Sequence, residues 1–105
     1  MDDLHAKFLP QFVDLARSRV ALALKVAIDR DHAAAQKVMR ELHTLAGEAG
    51  LLGLHHVVPL ARDSEQKAKE LHRTHADADA DMLVAALQQL GRVIDQIATS
   101  SKPGS

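Results

Sequence analysis

Seven histidines hold most of the chemistry open to this 105-residue chain, which has no cysteine. An imidazole can ligate a metal, move a proton or act as a nucleophile. Metal ligation needs inward-facing partners at helical spacing. His72 and His75 sit three residues apart and His55–His56 are adjacent, but no Glu-x-x-His pair on facing segments joins them. No metal site is expected, and most of these histidines read as surface residues. Hydrolase and phosphate-loop chemistry find no support, because there is no serine elbow and no glycine-rich strand-to-helix turn.

His43 stands apart through its neighbours. In ELHTLAGEAGLLGL, residues 41–54, the apolar spacing is that of a helix, yet three glycines interrupt it. Each glycine inside a helix costs roughly 0.5–1 kcal/mol relative to alanine. His43 follows the buried-type Leu42 by one position, so it lies at the edge of the apolar stripe. Its neighbours one turn on are Ala46 and Gly47, and Gly50 follows on the same side. Spacing alone leaves two readings open. Either the glycines bare a strip of backbone so that another surface can approach the ring, or they let a neighbouring helix pack closely beside an ordinary boundary histidine.

Four helix-period stripes position these residues. The first runs through Leu4, Phe8, Phe12, Leu15, Leu22 and Val26, with Leu9, Val13, Ala16, Val20, Leu24 and Ala27 beside it. Pro10 either kinks that helix or marks its start after a short preceding helix. Asp31 is the expected N-cap of the second, whose stripe is Val38, Leu42, Leu45, Ala49 and Leu52 and which ends at Gly53. The third runs from about Leu54 to His75, with Val57, Ala61, Ser64, Ala68 and Leu71 inward and Pro59 near its first turn. The fourth opens in DADAD, where Asp77 or Asp79 is the expected cap, and carries Leu83, Leu87, Leu90, Ile94 and Ile97. Short connections make this an all-α, antiparallel four-helix bundle. A single domain over residues 1–99 and a disordered tail over 100–105 are expected.

Composition narrows the partner. With 13 Lys+Arg against 14 Asp+Glu the net charge is −1, which gives no electrostatic case for nucleic acid or an anionic membrane. Apolar residues are 47% of the chain but aromatics only 2%, and the Ala, Leu and Val that dominate suit close helix packing. The most apolar run, VALALKVAI, is broken by Lys25 and too short to span a bilayer. With no signal-type N-terminus, the expectation is a soluble, cytoplasmic monomer whose partner is a protein or small molecule.

His43-Thr44-Leu45-Ala46-Gly47, with Gly53 ten residues after the histidine and helices on both sides, resembles the histidine-containing phosphotransfer (HPt) domain of bacterial phosphorelays. That family's pattern is a histidine, usually a lysine at the third position after it and a glycine at the fourth. The resemblance implies that His43 accepts a phosphoryl group from a receiver-domain aspartate or a kinase and passes it to another receiver. The chain is then a phosphocarrier rather than an enzyme. Its partners are response-regulator receivers and a (hybrid) histidine kinase, with Mg²⁺ in the receiver and no cofactor here. Met39, Arg40, Ala46, Gly47 and Gly50 are expected to form the partner-binding surface. The alternative is an interaction module that has kept the docking face and lost transfer, because Ala46 stands where the lysine is usual.

Glu65 matches a glutamate that, in the related domain of chemotaxis histidine kinases, hydrogen-bonds the reactive imidazole. An antiparallel count from a turn at Gly53 also places Glu65 within about one turn of His43. A carboxylate on one ring nitrogen fixes the tautomer and leaves the other nitrogen as nucleophile. The same count sets Arg62 level with Ala46 and Lys69 near Val38. Arg62 is therefore the expected stand-in for the missing lysine, pairing with Glu65 at rest.

Overall fold

The computed structural model describes residues 2–100, with side chains described for 7–99. Four helices follow one another: α1 Asp2–Ile28, α2 Ala35–Leu51, α3 Val57–Thr74 and α4 Asp77–Ser100, with a 3₁₀ turn at His32–Ala34 leading into α2. No strand occurs among the described residues. Each helix packs on its sequence neighbours and α4 closes against α1, while among the described residues the backbones of the diagonal pairs stay further apart. This is an up-down-up-down bundle. Residues 101–105, most of the expected tail, lie outside the described residues, and Ser100 still belongs to α4.

The three later stripes face inward as their spacing predicts. Val38, Leu42, Leu45 and Ala49 on α2 are buried, as are Val57, Ala61, Ser64, Ala68 and Leu71 on α3. Leu83, Leu87, Leu90 and Ile94 on α4 are fully buried, while Leu52 and Ile97 at the helix ends pack half-buried against them. Among the described residues the one buried polar side chain, Ser64, donates its hydroxyl to the Leu60 carbonyl at 2.9 Å and so leaves no donor of its own stranded.

The first helix departs from expectation. It runs through Pro10 as one helix, with no separate short helix before it. Its core face is Phe12, Val13, Ala16, Val20, Ala23, Val26 and Ala27, whereas Phe8, Leu15 and Leu22 are exposed. The small residues Ala16, Ala23 and Ala27 explain the rotation, because they let α1 lie close to its neighbours. Val20 sits 3.7 Å from where Gly91 of α4 would carry a Cβ. Arg19 then reaches α2, where it binds Glu41 at 2.9 Å and also Glu48. Leu4 falls outside the residues whose side chains are described.

The caps also differ in detail. Asp31 caps the 3₁₀ turn, accepting from the Ala34 N–H at 3.3 Å, so it starts α2 at one remove. The fourth helix begins at Asp77, and both aspartates fall inside its first turn rather than ahead of it. Asp77 takes Arg30 Nε at 3.1 Å, and Asp79 accepts the Thr74 hydroxyl. The third helix begins at Val57 rather than Leu54 because Gly53, at φ 70°, closes α2 in a Schellman turn. There Leu54 N–H bonds Ala49 O at 2.9 Å and Gly53 N–H bonds Gly50 O at 3.1 Å. At the far end His75, left-handed at φ 58°, caps α3 and stacks on His32 with ring centroids 4.3 Å apart.

Arg30 ends α1 in the left-handed region at φ 56°. Its guanidinium bonds Ala27 O at 2.7 Å, Asp77 at 3.1 Å and Asp81 at 3.0 Å, tying the end of α1 to the start of α4. Arg30→Ala keeps the backbone strain and loses those bonds, so a loss of about 1 kcal/mol is expected. Arg30→Gly removes the strain as well, worth about 1 kcal/mol in return. In urea melts the glycine variant should therefore be the more stable of the two.

Candidate functional site

Leu42 and Leu45, both fully buried, fix the rotation of α2 about its axis and leave His43 at the edge. Ala61, Ser64 and Ala68 do the same for α3 and leave Glu65 at the facing edge. The α2–α3 turn at Gly53 sets the register: Gly50 lies opposite Val58, with 4.0 Å between the position of a Gly50 Cβ and Val58 Cγ2. Seven residues further from the turn on each helix, His43 meets Glu65. Its Nδ1 lies 3.1 Å from Oε2 and 3.3 Å from Oε1.

A carboxylate offers only acceptors, so this partner assigns the proton to Nδ1 and makes it the donor. Nε2 is left with its lone pair free. The His43 side chain is 78% exposed, against 30% for Glu65. The arrangement is an oriented imidazole presenting an unprotonated nitrogen to solvent, which suits nucleophilic attack on a group brought by another molecule. Arg17, Arg19 and Arg30 are all held in ion pairs with other carboxylates.

The glycines choose between the two earlier readings. Nothing lies within 4 Å of a Cβ placed on Gly47, and Gly50 is only at contact distance from Val58. Close helix packing does not require either glycine, and the strip beside His43 is open to an approaching surface. Gly47→Leu should raise stability by several tenths of a kcal/mol, leucine being the better helix former. In the same protein, phosphoryl transfer from a partner should slow. A sharp fall in the urea midpoint would return the glycine to a packing role.

Other expected surface residues divide. Arg40 is exposed and Met39 half-buried, flanking His43 on α2. Ala46 is only 4% exposed, so it is a core residue at the seam with α3 and offers a partner little surface. Arg62 is exposed but makes no ion pair or hydrogen bond, and the expected resting pair with Glu65 does not form. Both Glu65 oxygens face His43 instead.

The structure adds a feature the spacing did not reveal. Leu51 is 89% exposed, two turns past His43, and with Phe8 and Leu15 of α1 it lines an apolar cleft of about 380 Å³. Its sequence signal was the doubled stripe on α1, which offers more apolar surface than one core face can use. A larger cleft, about 850 Å³, lies at the α2–α3 turn around His55, His56 and Pro59 and includes neither His43 nor Glu65.

A four-helix bundle with an exposed, carboxylate-oriented histidine on its second helix defines the class of protein. The Hpt domain family matches residues 7–99, and the chain belongs to that family. No curated protein and no solved structure matches it. Membership supports a role in phosphotransfer within two-component signalling, as a carrier module working with receiver domains and histidine kinases. Among the described residues no helix is long and apolar enough to cross a membrane.

Proposed function

We propose that the chain is a phosphorelay intermediate in which His43 Nε2 is the phosphoacceptor. The observation that supports this most is the geometry of the pair: an imidazole 78% exposed whose Nδ1 is held by Glu65 at 3.1 Å.

The step balances without a proton leaving the site. The Nε2 lone pair attacks the phosphorus of a receiver's aspartyl phosphate, the P–N bond forms and the P–O bond to the aspartate breaks. The electron pair of that bond stays on the aspartate as carboxylate. The imidazole keeps its Nδ1 proton and becomes cationic, and the Glu65 carboxylate stabilises that charge. Reversal on a second receiver returns the ring to its neutral form. The Mg²⁺ and acidic residues that promote this chemistry belong to the receiver, while this chain contributes the nucleophile and a docking face.

That face centres on His43, Met39, Arg40, Gly47 and Gly50, and Leu51 with the cleft beside it extends it toward α1. Incubation with a receiver carrying labelled phosphate tests the reading: label should move to this chain. A stable complex that never transfers label would favour the interaction module instead.

A further inference from the structure

We propose that Arg19 is a positioning residue for docking: it holds the Glu48 carboxylate, so that a partner can cover the apolar cleft between α1 and α2 without stranding a charge there. The inference rests on transfer from a receiver to His43. Arg19 acts through Glu48 and not on the reacting atoms.

Among the described residues Glu48 is the one charged side chain lining that cleft, whose apolar wall includes Phe8, Leu15, Leu51 and Leu52. Leu51, Phe8 and Leu15 are exposed, so the free protein leaves this wall to water. Reaching His43 brings a partner onto it. A specific interface takes about 800 Å² from each side, a disc of about 16 Å radius, whereas Glu48 and Leu51 follow His43 by five and eight residues, about 8 and 12 Å along α2. Both fall under the footprint.

Covering the cleft strips water from Glu48. A carboxylate that loses its hydration with no partner opposes burial, whereas one already paired and hydrogen-bonded does so far less. Arg19 supplies that partner from within the chain. Its Nε donates to Glu41 Oε2 at 2.9 Å and its Nη1 donates to Glu48 Oε1. The Arg19 side chain is only 17% exposed, against 37% for Glu48, so the pair is made and partly withdrawn from water before anything docks. A planar guanidinium can fork between two carboxylates seven residues apart on α2, a geometry that a single ammonium does not match. Arg17 shows the contrast, because its bond to Asp95 joins two side chains that are each at least half exposed.

Two phosphoryl donors separate docking from chemistry. Arg19→Met removes the charge and keeps an unbranched apolar stem. With a phosphorylated receiver, the half-saturating concentration should rise about tenfold, while the transfer rate at saturation stays that of the parent. Phosphoramidate needs no docking: its P–N bond breaks, ammonia leaves and the phosphoryl group passes to His43 Nε2. Labelling from it should not change. Glu48→Gln added to Arg19→Met removes the stranded charge and should bring half-saturation back toward the parent, with the urea midpoint of the double variant equal to that of the single. An unchanged half-saturation in Arg19→Met, a double variant no better than the single, or a recovery matched by the urea midpoint overturns the role of Arg19. A parent protein that takes no label from the receiver overturns the relay reading instead, and this inference with it.

Discussion

His43→Gln should take no phosphoryl group from a labelled receiver, while His55→Gln, His56→Gln and His72→Gln should label as the parent does. Glutamine preserves polarity and approximate size, but its amide nitrogen has no lone pair available for attack. The loss is not a folding effect. His43 is 78% exposed and its hydrogen bond with Glu65 is at the surface, so the substitution should change stability by no more than about 0.5 kcal/mol. The linkage itself gives a second check, since a P–N bond to imidazole is labile in acid and comparatively stable in base. Label that survives acid, or that persists in the His43→Gln protein, places the chemistry on another residue.

Glu65→Ala is the second large effect. Without the carboxylate the ring rotates freely and exchanges its proton between Nδ1 and Nε2, so the nucleophilic lone pair is on the outward nitrogen for only part of the time. The cation formed on transfer also loses its counter-charge. Together these should slow transfer on the order of tenfold or more. Glu65→Gln should fall between, because the amide oxygen still accepts from Nδ1 but carries no charge. A competing term has the opposite sign: Glu65 repels the incoming phosphoryl group, by roughly 1–4 kcal/mol for unit charges about 4 Å apart at a partly exposed site. If that term dominated, Glu65→Ala would accelerate transfer. Stopped-flow or quench measurements on the alanine and glutamine variants decide the sign, while urea midpoints should barely move.

Three of the four helices were readable because each offers one apolar stripe and no competitor. On α3 every residue expected inward, from Val57 to Leu71, is buried. On α1 two stripes lie side by side, and periodicity cannot say which faces the bundle. That choice depended on alanines that allow close approach and on Arg19 reaching Glu41 and Glu48, which are tertiary facts. The meeting of His43 with Glu65 was accessible from sequence because an antiparallel count about Gly53 needs only the turn position. The partner of Arg62 was not. A residue count gives the level of a Cα on the facing helix, whereas the direction of the side chains decides which charges meet, and both Glu65 oxygens turn to His43 rather than to Arg62.

The most direct measurement is ³¹P and ¹⁵N NMR of the wild-type protein after incubation with a phosphorylated receiver, because it reports which ring nitrogen of which histidine carries phosphorus. The geometry, with Nδ1 held 3.1 Å from Glu65 and Nε2 open, predicts one phosphohistidine, at Nε2 of His43. Phosphorus on Nδ1 of His43, on another histidine, or on none would contradict the account.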